Sequence, residues 1–318
     1  MTAAVESSSV RWIRPQGFQF RTIATHWNRL FAPHLPFILI VRRRILHRDF
    51  DGRYALGDQP FLIEREGQTA ILMINREAQR NSMSFEMWEA FPGYIKELDA
   101  DPSVRVIVLT GAGEKAFASG ADISEFDSKR TGREAAALYH RVVEATMASL
   151  EASSKPVIAM VNGFAIGGGC ELAVACDFRI AAESASFGIP SAKLGLVVSF
   201  SDTKRLVDLV GPAIAKEMLM TGRRLSAEEA LGVGLVNRVV PDPLLRQTTL
   251  EITATIAANA PFSIASTKAM VEQCRHDPDL SAVNATDADR PLHCYETEDF
   301  QEGVQAFLEK RPPRFRGR

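Results

Sequence analysis

Residues 167–177 read Gly-Gly-Gly-Cys-Glu-Leu-Ala-Val-Ala-Cys-Asp, a run that puts backbone amides and a carboxylate within one helical turn. The first turn of a helix carries N–H groups with no internal partner, and the macrodipole adds partial positive charge there. Glycines let a ligand come close to that backbone. Glu171 sits within a turn of the same amides. Donors for developing negative charge beside a carboxylate that can move a proton suit chemistry on a carbonyl compound. The same run also reads as a glycine-softened turn with a carboxylate at a helix start.

A second segment points the same way. Strand-like Val104–Thr110 leads into Gly111-Ala112-Gly113-Glu114-Lys115-Ala116-Phe117-Ala118-Ser119-Gly120-Ala121-Asp122-Ile123. Asp122 followed by Glu125 has the spacing of a capping box, which predicts a helix start with free amides next to Ala121. Two small-residue segments, each at a helix start, could together supply the two donors of an oxyanion hole.

The elements that must position these residues alternate along the chain. Phe61–Asn75 predicts a hairpin turning at Gly67-Gln68. Met87, Trp88, Phe91, Ile95 and Leu98 recur at helical spacing after Ser84, a candidate N-cap, and read as a core stripe. Pro92-Gly93 is expected to kink or interrupt that helix. Strand 104–110, helix 133–151, strand 156–161, helix 169–176 and strand 178–182 then give the alternation of right-handed β-α-β crossovers. Beyond Gly211-Pro212 the chain reads as mostly helical, near 244–259, 263–275 and 299–310, with a short strand near 235–239.

Composition removes several function classes. The chain has 318 residues, ample for a sizeable core, with the charge content of an ordinary globular protein. Its net charge of −2 hides an asymmetry: eight arginines and no acidic residue lie between Ser7 and Arg48, so the remainder is acidic. That remainder offers no footing for general nucleic-acid binding through phosphates. The apolar run Leu35–Val41 is too short to span a bilayer, which takes roughly 20 apolar residues. Cys170, Cys176, Cys274 and Cys294 have no metal-ligand or Cys-x-x-Cys spacing and read as reduced thiols. No histidine pairs at metal-ligand spacing and no Gly-x-Ser-x-Gly elbow is present, so neither a metal nor an ordinary serine-hydrolase site is expected. Gly111-Ala112-Gly113-Glu114-Lys115-Ala116 fits a dinucleotide fingerprint, a rival reading weakened by the second small-residue turn at Ser119-Gly120-Ala121.

With these residues in view, the chain resembles the crotonase (enoyl-CoA hydratase/isomerase) family from about residue 61 to its end. The matching pieces are Lys115–Ile123, Lys155–Gly163, Ile166–Leu172, Phe187-Gly188-Ile189-Pro190, Thr221-Gly222-Arg223 and Glu302–Arg311. The resemblance implies an α/β fold, the crotonase (ClpP-like) spiral of ββα units over 58–258. It implies a C-terminal helical oligomerisation region over 259–318 and a homotrimer or dimer of trimers, with Val271, Val304, Phe307 and Leu308 as packing candidates. The substrate class it implies is an acyl-CoA thioester, with no cofactor beyond the CoA of the substrate. Residues 1–57 fall outside the resemblance and are expected to be a poorly ordered basic extension with no catalytic role. An organelle transit peptide, an upstream stretch from a misplaced start codon and a membrane-surface appendage fit the same composition. The expected location is therefore cytoplasmic, or the mitochondrial matrix if the extension is a transit peptide.

Carried over by motif, the backbone N–H groups of Ala121 and Gly168 would bind the thioester oxygen, with Gly167 beside them. Ala118, Ser119, Asp122, Ile123 and Ser124 would line the pantetheine and thioester region. Gln79, Arg80 and Ser82 belong to the loop that would border the CoA adenine. Typical hydratases of the family flank the substrate with two glutamates. The first matches Glu171; the second position holds Ser191, which cannot be a general acid or base near neutral pH but can hydrogen-bond a water. The Pro-Gly-Ala-Gly-Gly run usual in hydratases is replaced by Val198–Asp202. The expected reaction is reversible hydration of a 2-enoyl-CoA with Glu171 as the single glutamate and Ser191 positioning water. The alternatives are CoA-thioester decarboxylation, hydrolysis or isomerisation on the same scaffold, or a non-catalytic CoA-binding homologue.

Overall fold

A computed structural model describes residues 59–318; the 1–57 extension lies outside the described residues. Two apolar-rich runs form the expected hairpin, β1 (Phe61–Glu66) and β2 (Thr69–Ile74), antiparallel with Phe61 opposite Ile74. Gly67 takes the left-handed conformation (φ 58°) that the tight turn needs. Ser84 caps α1 (Phe85–Ala100) by accepting from the Met87 N–H, and Met87, Trp88, Phe91, Ile95 and Leu98 are buried as one stripe.

Pro92 does not interrupt α1. A proline removes the hydrogen bond to the carbonyl four residues back, here Trp88. That carbonyl accepts instead from the Thr146 hydroxyl at 2.8 Å, so the missing donor is replaced from a neighbouring helix.

The chain then places alternate strands in two sheets. The first of each pair, β3 (Val106–Gly111), goes to a six-stranded sheet, and the second, β4 (Ala116–Ala118), to a four-stranded one. The short α2 (Phe126–Lys129) and the long α3 (Arg133–Ala152) follow. The pattern repeats as β5 (Val157–Val161), β6 (Phe164–Ile166) and α4 (Gly168–Ala175). It repeats again as β7 (Phe178–Ala182), β8 (Ser186–Gly188) and α5 (Phe200–Thr221). Strand β9 (Leu225–Ser226), α6 (Ala227–Gly232) and β10 (Arg238–Val240) complete the core. Sheet orders are β1-β2-β3-β5-β7-β10 and β4-β6-β8-β9. In the larger sheet every pair after the hairpin is parallel. Strands β3 and β5 are buried along their whole length, as continuous apolar runs covered on both faces should be. This is the spiral of ββα units expected from the sequence.

Helices α7 (Leu245–Ala257), α8 (Pro261–His276), α9 (Ala285–His293) and α10 (Glu298–Leu308) follow. Buried Lys268 of α8 fastens them to the core, donating to the Leu150 carbonyl at 2.8 Å and pairing with Asp177 at 3.0 Å. Two helices were not foreseen as such. α5 starts at Phe200 under a Ser199 cap, and the expected Gly211-Pro212 break appears as a kink at Gly211 (φ 71°, ψ 166°) with helix on either side. α9 starts from an Asn284 cap on the Asp287 N–H. Among the described residues no helix is long and apolar enough to cross a membrane.

Candidate active site

The glycine run opens α4 as its sequence demands. Gly167 (φ 55°) is the N-cap and donates to the Gly188 carbonyl at 2.8 Å, tying α4 to the end of β8. Its own carbonyl accepts from Cys170 and Glu171, which places Glu171 in the first turn. Gly168 is then a first-turn residue, and its N–H has no acceptor among the described residues.

The Gly120-Ala121 segment lies directly against this helix start. A Cβ on Gly120 (φ 93°) would sit 2.7 Å from the Ile166 carbonyl oxygen and 3.1 Å from the Gly168 nitrogen, so only glycine permits the approach. On the other side, a Cβ on Gly168 would lie 3.8 Å from the Ala121 nitrogen and 3.0 Å from the Trp88 ring. The two amides singled out in the sequence therefore share one small space, backed by a fully buried indole. Met83 N–H donates to the Gly120 carbonyl and Asp122 N–H to the Met83 carbonyl. Between those two bonds the Ala121 N–H is left without an acceptor among the described residues.

Neighbouring side chains fix that arrangement. Asp122 accepts from the Ser124 hydroxyl at 2.7 Å and from Arg76 at 2.9 Å, and these contacts, Ser124 first, hold its carboxyl below the ordinary range. Arg76 also donates to the Ser82 carbonyl. Buried Asn81 donates to the Ala112 and Ala116 carbonyls at 3.0 and 2.7 Å. Ser119 N–H bonds the Arg80 carbonyl, and its hydroxyl reaches the Gln79 carbonyl at 3.4 Å. The polar groups of Ser82, Ser119, Asp122 and Ser124 are thus engaged in holding the segment. Gln79, Arg80 and Ile123 are exposed, and Ala118 is buried. The predicted capping box at Asp122 does not form. Asp122 caps Ser124, while the Glu125 carboxylate crosses to the Phe85 N–H at 2.8 Å and serves the start of α1. Nor does the glycine fingerprint after β3 open a helix: β4 follows it, which removes the dinucleotide geometry.

The Glu171 carboxyl ends a half-buried side chain on α4, a helix that packs against α3 and α5. Burial, and then the charge of Asp202, push that carboxyl up to about 8, against the pull of Arg130 and Arg205. Arg130 stacks over the Tyr139 ring at 3.8 Å. The Tyr139 hydroxyl and the Trp88 indole N–H are buried with no hydrogen-bond partner among the described residues. Ser191, half-buried, opens a 3₁₀ turn just beyond Gly188, and its hydroxyl bonds no described residue.

Asp202, Arg205, Glu144, Arg130 and Tyr139 were not singled out from the sequence. The one available signal was the acid at Asp202 inside a segment that departs from the usual glycine run. Glu151, Glu272 and His276 lie close enough to suggest a metal site. Arg205 and Arg275 already occupy the Glu151 carboxylate, and Arg275 that of Glu272, so the group is an ion-pair network.

Known proteins share this architecture. A family model described as enoyl-CoA hydratase/isomerase matches residues 64–318. A short-chain-enoyl-CoA hydratase of Clostridium acetobutylicum is 40% identical over 255 residues, covering 79% of this chain and 95% of the relative. A crotonyl-CoA hydratase of Syntrophomonas wolfei is 39% identical over 256 residues, covering 80% and 96%. The crystal structure of an enoyl-CoA hydratase/carnithine racemase from Magnetospirillum magneticum superposes with a TM-score of 0.79 at 35% identity, covering 82% of this chain and 97% of that one. Matched over most of its length in sequence and in fold, and carrying paired glycine-led amides beside Glu171, the chain belongs to the enoyl-CoA hydratase/isomerase family.

Proposed function

We propose that the protein is an enoyl-CoA hydratase, adding water reversibly across the C2=C3 bond of a 2-enoyl-CoA. The observation that carries the reading is the pair of acceptor-free amides, Ala121 and Gly168, within a turn of Glu171. The similarity to two hydratases at about 40% identity supports it. The thioester oxygen takes both N–H groups. Glu171, as carboxylate, accepts a proton from water while the water oxygen bonds to C3. The C2=C3 electron pair moves to the thioester oxygen, and the enolate is held by the two amides. C2 then takes a proton from a water held at the Ser191 hydroxyl, and the proton on Glu171 replaces it. One water has been added, and both residues end as they began.

No cofactor enters this scheme, because CoA arrives as part of the substrate. Exposed Gln79 and Arg80 border its adenine end, and Gly167 and the 118–124 segment border the pantetheine. The exposed apolar residues Val271, Val304, Phe307 and Leu308 on α8 and α10 suit packing between subunits of a homotrimer or dimer of trimers. Ser191 favours one second reading, a CoA-thioester decarboxylase or hydrolase, since decarboxylation relies chiefly on the amides. Crotonyl-CoA hydration, followed by loss of the conjugated thioester absorbance, tests the choice. Turnover that disappears in Glu171→Gln is expected. CoA binding with no turnover of any 2-enoyl-CoA sinks the hydratase reading, and release of carbon dioxide or free CoA from a thioester panel replaces it.

A further inference from the structure

Arg130, at the end of α2, carries a charge that no acid among the described residues answers. Asp127 and Glu134 stand at the spacings where helical ion pairs form, yet neither bonds it, while its neighbour Lys129 takes Glu86 at 3.1 Å. The guanidinium lies instead on two aromatic faces, 3.8 Å from the centre of the Tyr139 ring and 4.5 Å from that of Phe126. Stacked by its face, a guanidinium keeps its N–H edge free for the two oxygens of a carboxylate. It is also half-buried, and a cation drawn out of water calls for an anion.

A chain of contacts ties this cation to the amide pair. The Tyr139 ring packs on Phe85 with centroids 5.6 Å apart. The Phe85 N–H takes the Glu125 carboxylate at 2.8 Å, which folds the segment between Ala121 and Arg130 onto the start of α1. One turn further along α1, Trp88 Cζ2 lies 3.0 Å from a Cβ placed on Gly168. That atom is bonded to the carbon carrying Nε1, so the indole N–H lies beside the same amide. This N–H and the Tyr139 hydroxyl are fully buried with no partner among the described residues. Buried polar groups left open in this way await a water or a ligand. Arg130 and Glu171 also attract one another, as groups sharing one site do.

We propose that Arg130 binds a carboxylate at the far end of the acyl chain, so that the site prefers CoA monothioesters of dicarboxylic acids. The inference rests on the site taking an acyl-CoA, as proposed above. The contacts from Gly168 to Arg130 run through Trp88, Phe85 and Tyr139, which sets the second carboxylate several carbons from the thioester. Gln79 and Arg80, the proposed border of the adenine, are tied to Ser119 on the other side of Ala121 in the chain, which leaves the CoA phosphates to that end.

The test is calorimetric binding of saturated thioesters, which cannot be hydrated: succinyl-, glutaryl- and adipyl-CoA against butyryl-, valeryl- and hexanoyl-CoA, with CoA itself as reference. At least one diacid thioester should bind roughly tenfold or more tightly than its monoacid counterpart, the range for hydrogen bonds to a charged group. Arg130→Met should abolish that preference and leave CoA and monoacid affinity unchanged; Arg130→Lys should keep part of it. No preference at any length in the wild type, or a preference that survives in Arg130→Met, overturns the proposal. An equal loss for CoA and every thioester in Arg130→Met overturns it too, and assigns Arg130 to a CoA phosphate. If the preference depends on Arg130 while no enoyl-CoA is hydrated, the carboxylate site stands and the hydratase reading falls. If crotonyl-CoA is hydrated rapidly and no diacid is preferred, the reverse holds.

Discussion

The Thr146 hydroxyl donates to the Trp88 carbonyl at 2.8 Å, and that carbonyl is the one Pro92 leaves without a helical donor. One bond thus joins α3 to α1 at the level of the indole that backs Gly168. Thr146→Val keeps the shape and removes the donor, stranding a buried acceptor. The cost should be about 1–3 kcal/mol in urea unfolding. A variant as stable as the wild type would mean that Pro92 is accommodated by other means.

Glu171→Gln should lower hydration by roughly 10²–10⁴-fold with CoA affinity retained. It should also change how stability depends on pH. The folded carboxyl is held near 8 against an ordinary 4.5, so between these values the folded state keeps a proton that the unfolded chain has lost. Wild-type stability should accordingly fall, relative to the Gln variant, as pH rises from 4.5 to 8, and level off above. Parallel denaturation curves across that range would show that Glu171 ionises in the fold as it does in the open chain.

Gly168→Pro deletes one of the two site donors at a helix position that tolerates proline. Loss of a single oxyanion donor costs roughly 10²–10³-fold in kcat. The new ring must also displace the Trp88 side chain slightly, since a Cβ there meets it at 3.0 Å. The measurement is kcat against the dissociation constant for CoA. An unchanged kcat would assign the thioester oxygen to some other donor.

Ser191→Glu would restore a carboxylate at the position where the family usually carries its second glutamate. If Glu171 works alone, hydration of crotonyl-CoA should be slow in the wild type and faster in this variant, in steady-state assays under matched conditions. A variant no faster than the wild type, alongside rapid turnover of another thioester, would favour the decarboxylase or hydrolase reading.

The features legible in the sequence are those fixed by short stretches of chain. The hairpin around Gly67, the buried runs of β3 and β5 and the glycine-led start of α4 each follow from residues within a few positions of one another. The buried ion-pair cluster of Asp202 and Arg205 was not legible because its other members, Glu144 and Glu151, lie on α3; taken by itself Asp202 is one acid after a serine. That α1 runs on through Pro92 was hidden for the same reason, since the donor that takes up the Trp88 carbonyl lies on α3. Glu125 has the right spacing to serve Asp122, yet the Phe85 N–H lay within its reach and took it.

That last contact bears on how the site meets its ligand. Met83, Arg76 and Phe85, approaching from α1 and the loop before it, hold the carbonyl of Gly120, the amide and carboxylate of Asp122 and the carboxylate of Glu125. The Ala121 amide is the polar group left over from this lacing. Its direction is therefore settled when the chain folds, and the loss of conformational entropy belongs to folding and not to binding. A carbonyl oxygen arriving there meets a dipole that does not have to turn, and the charge it gains during reaction needs no reorganisation of its surroundings.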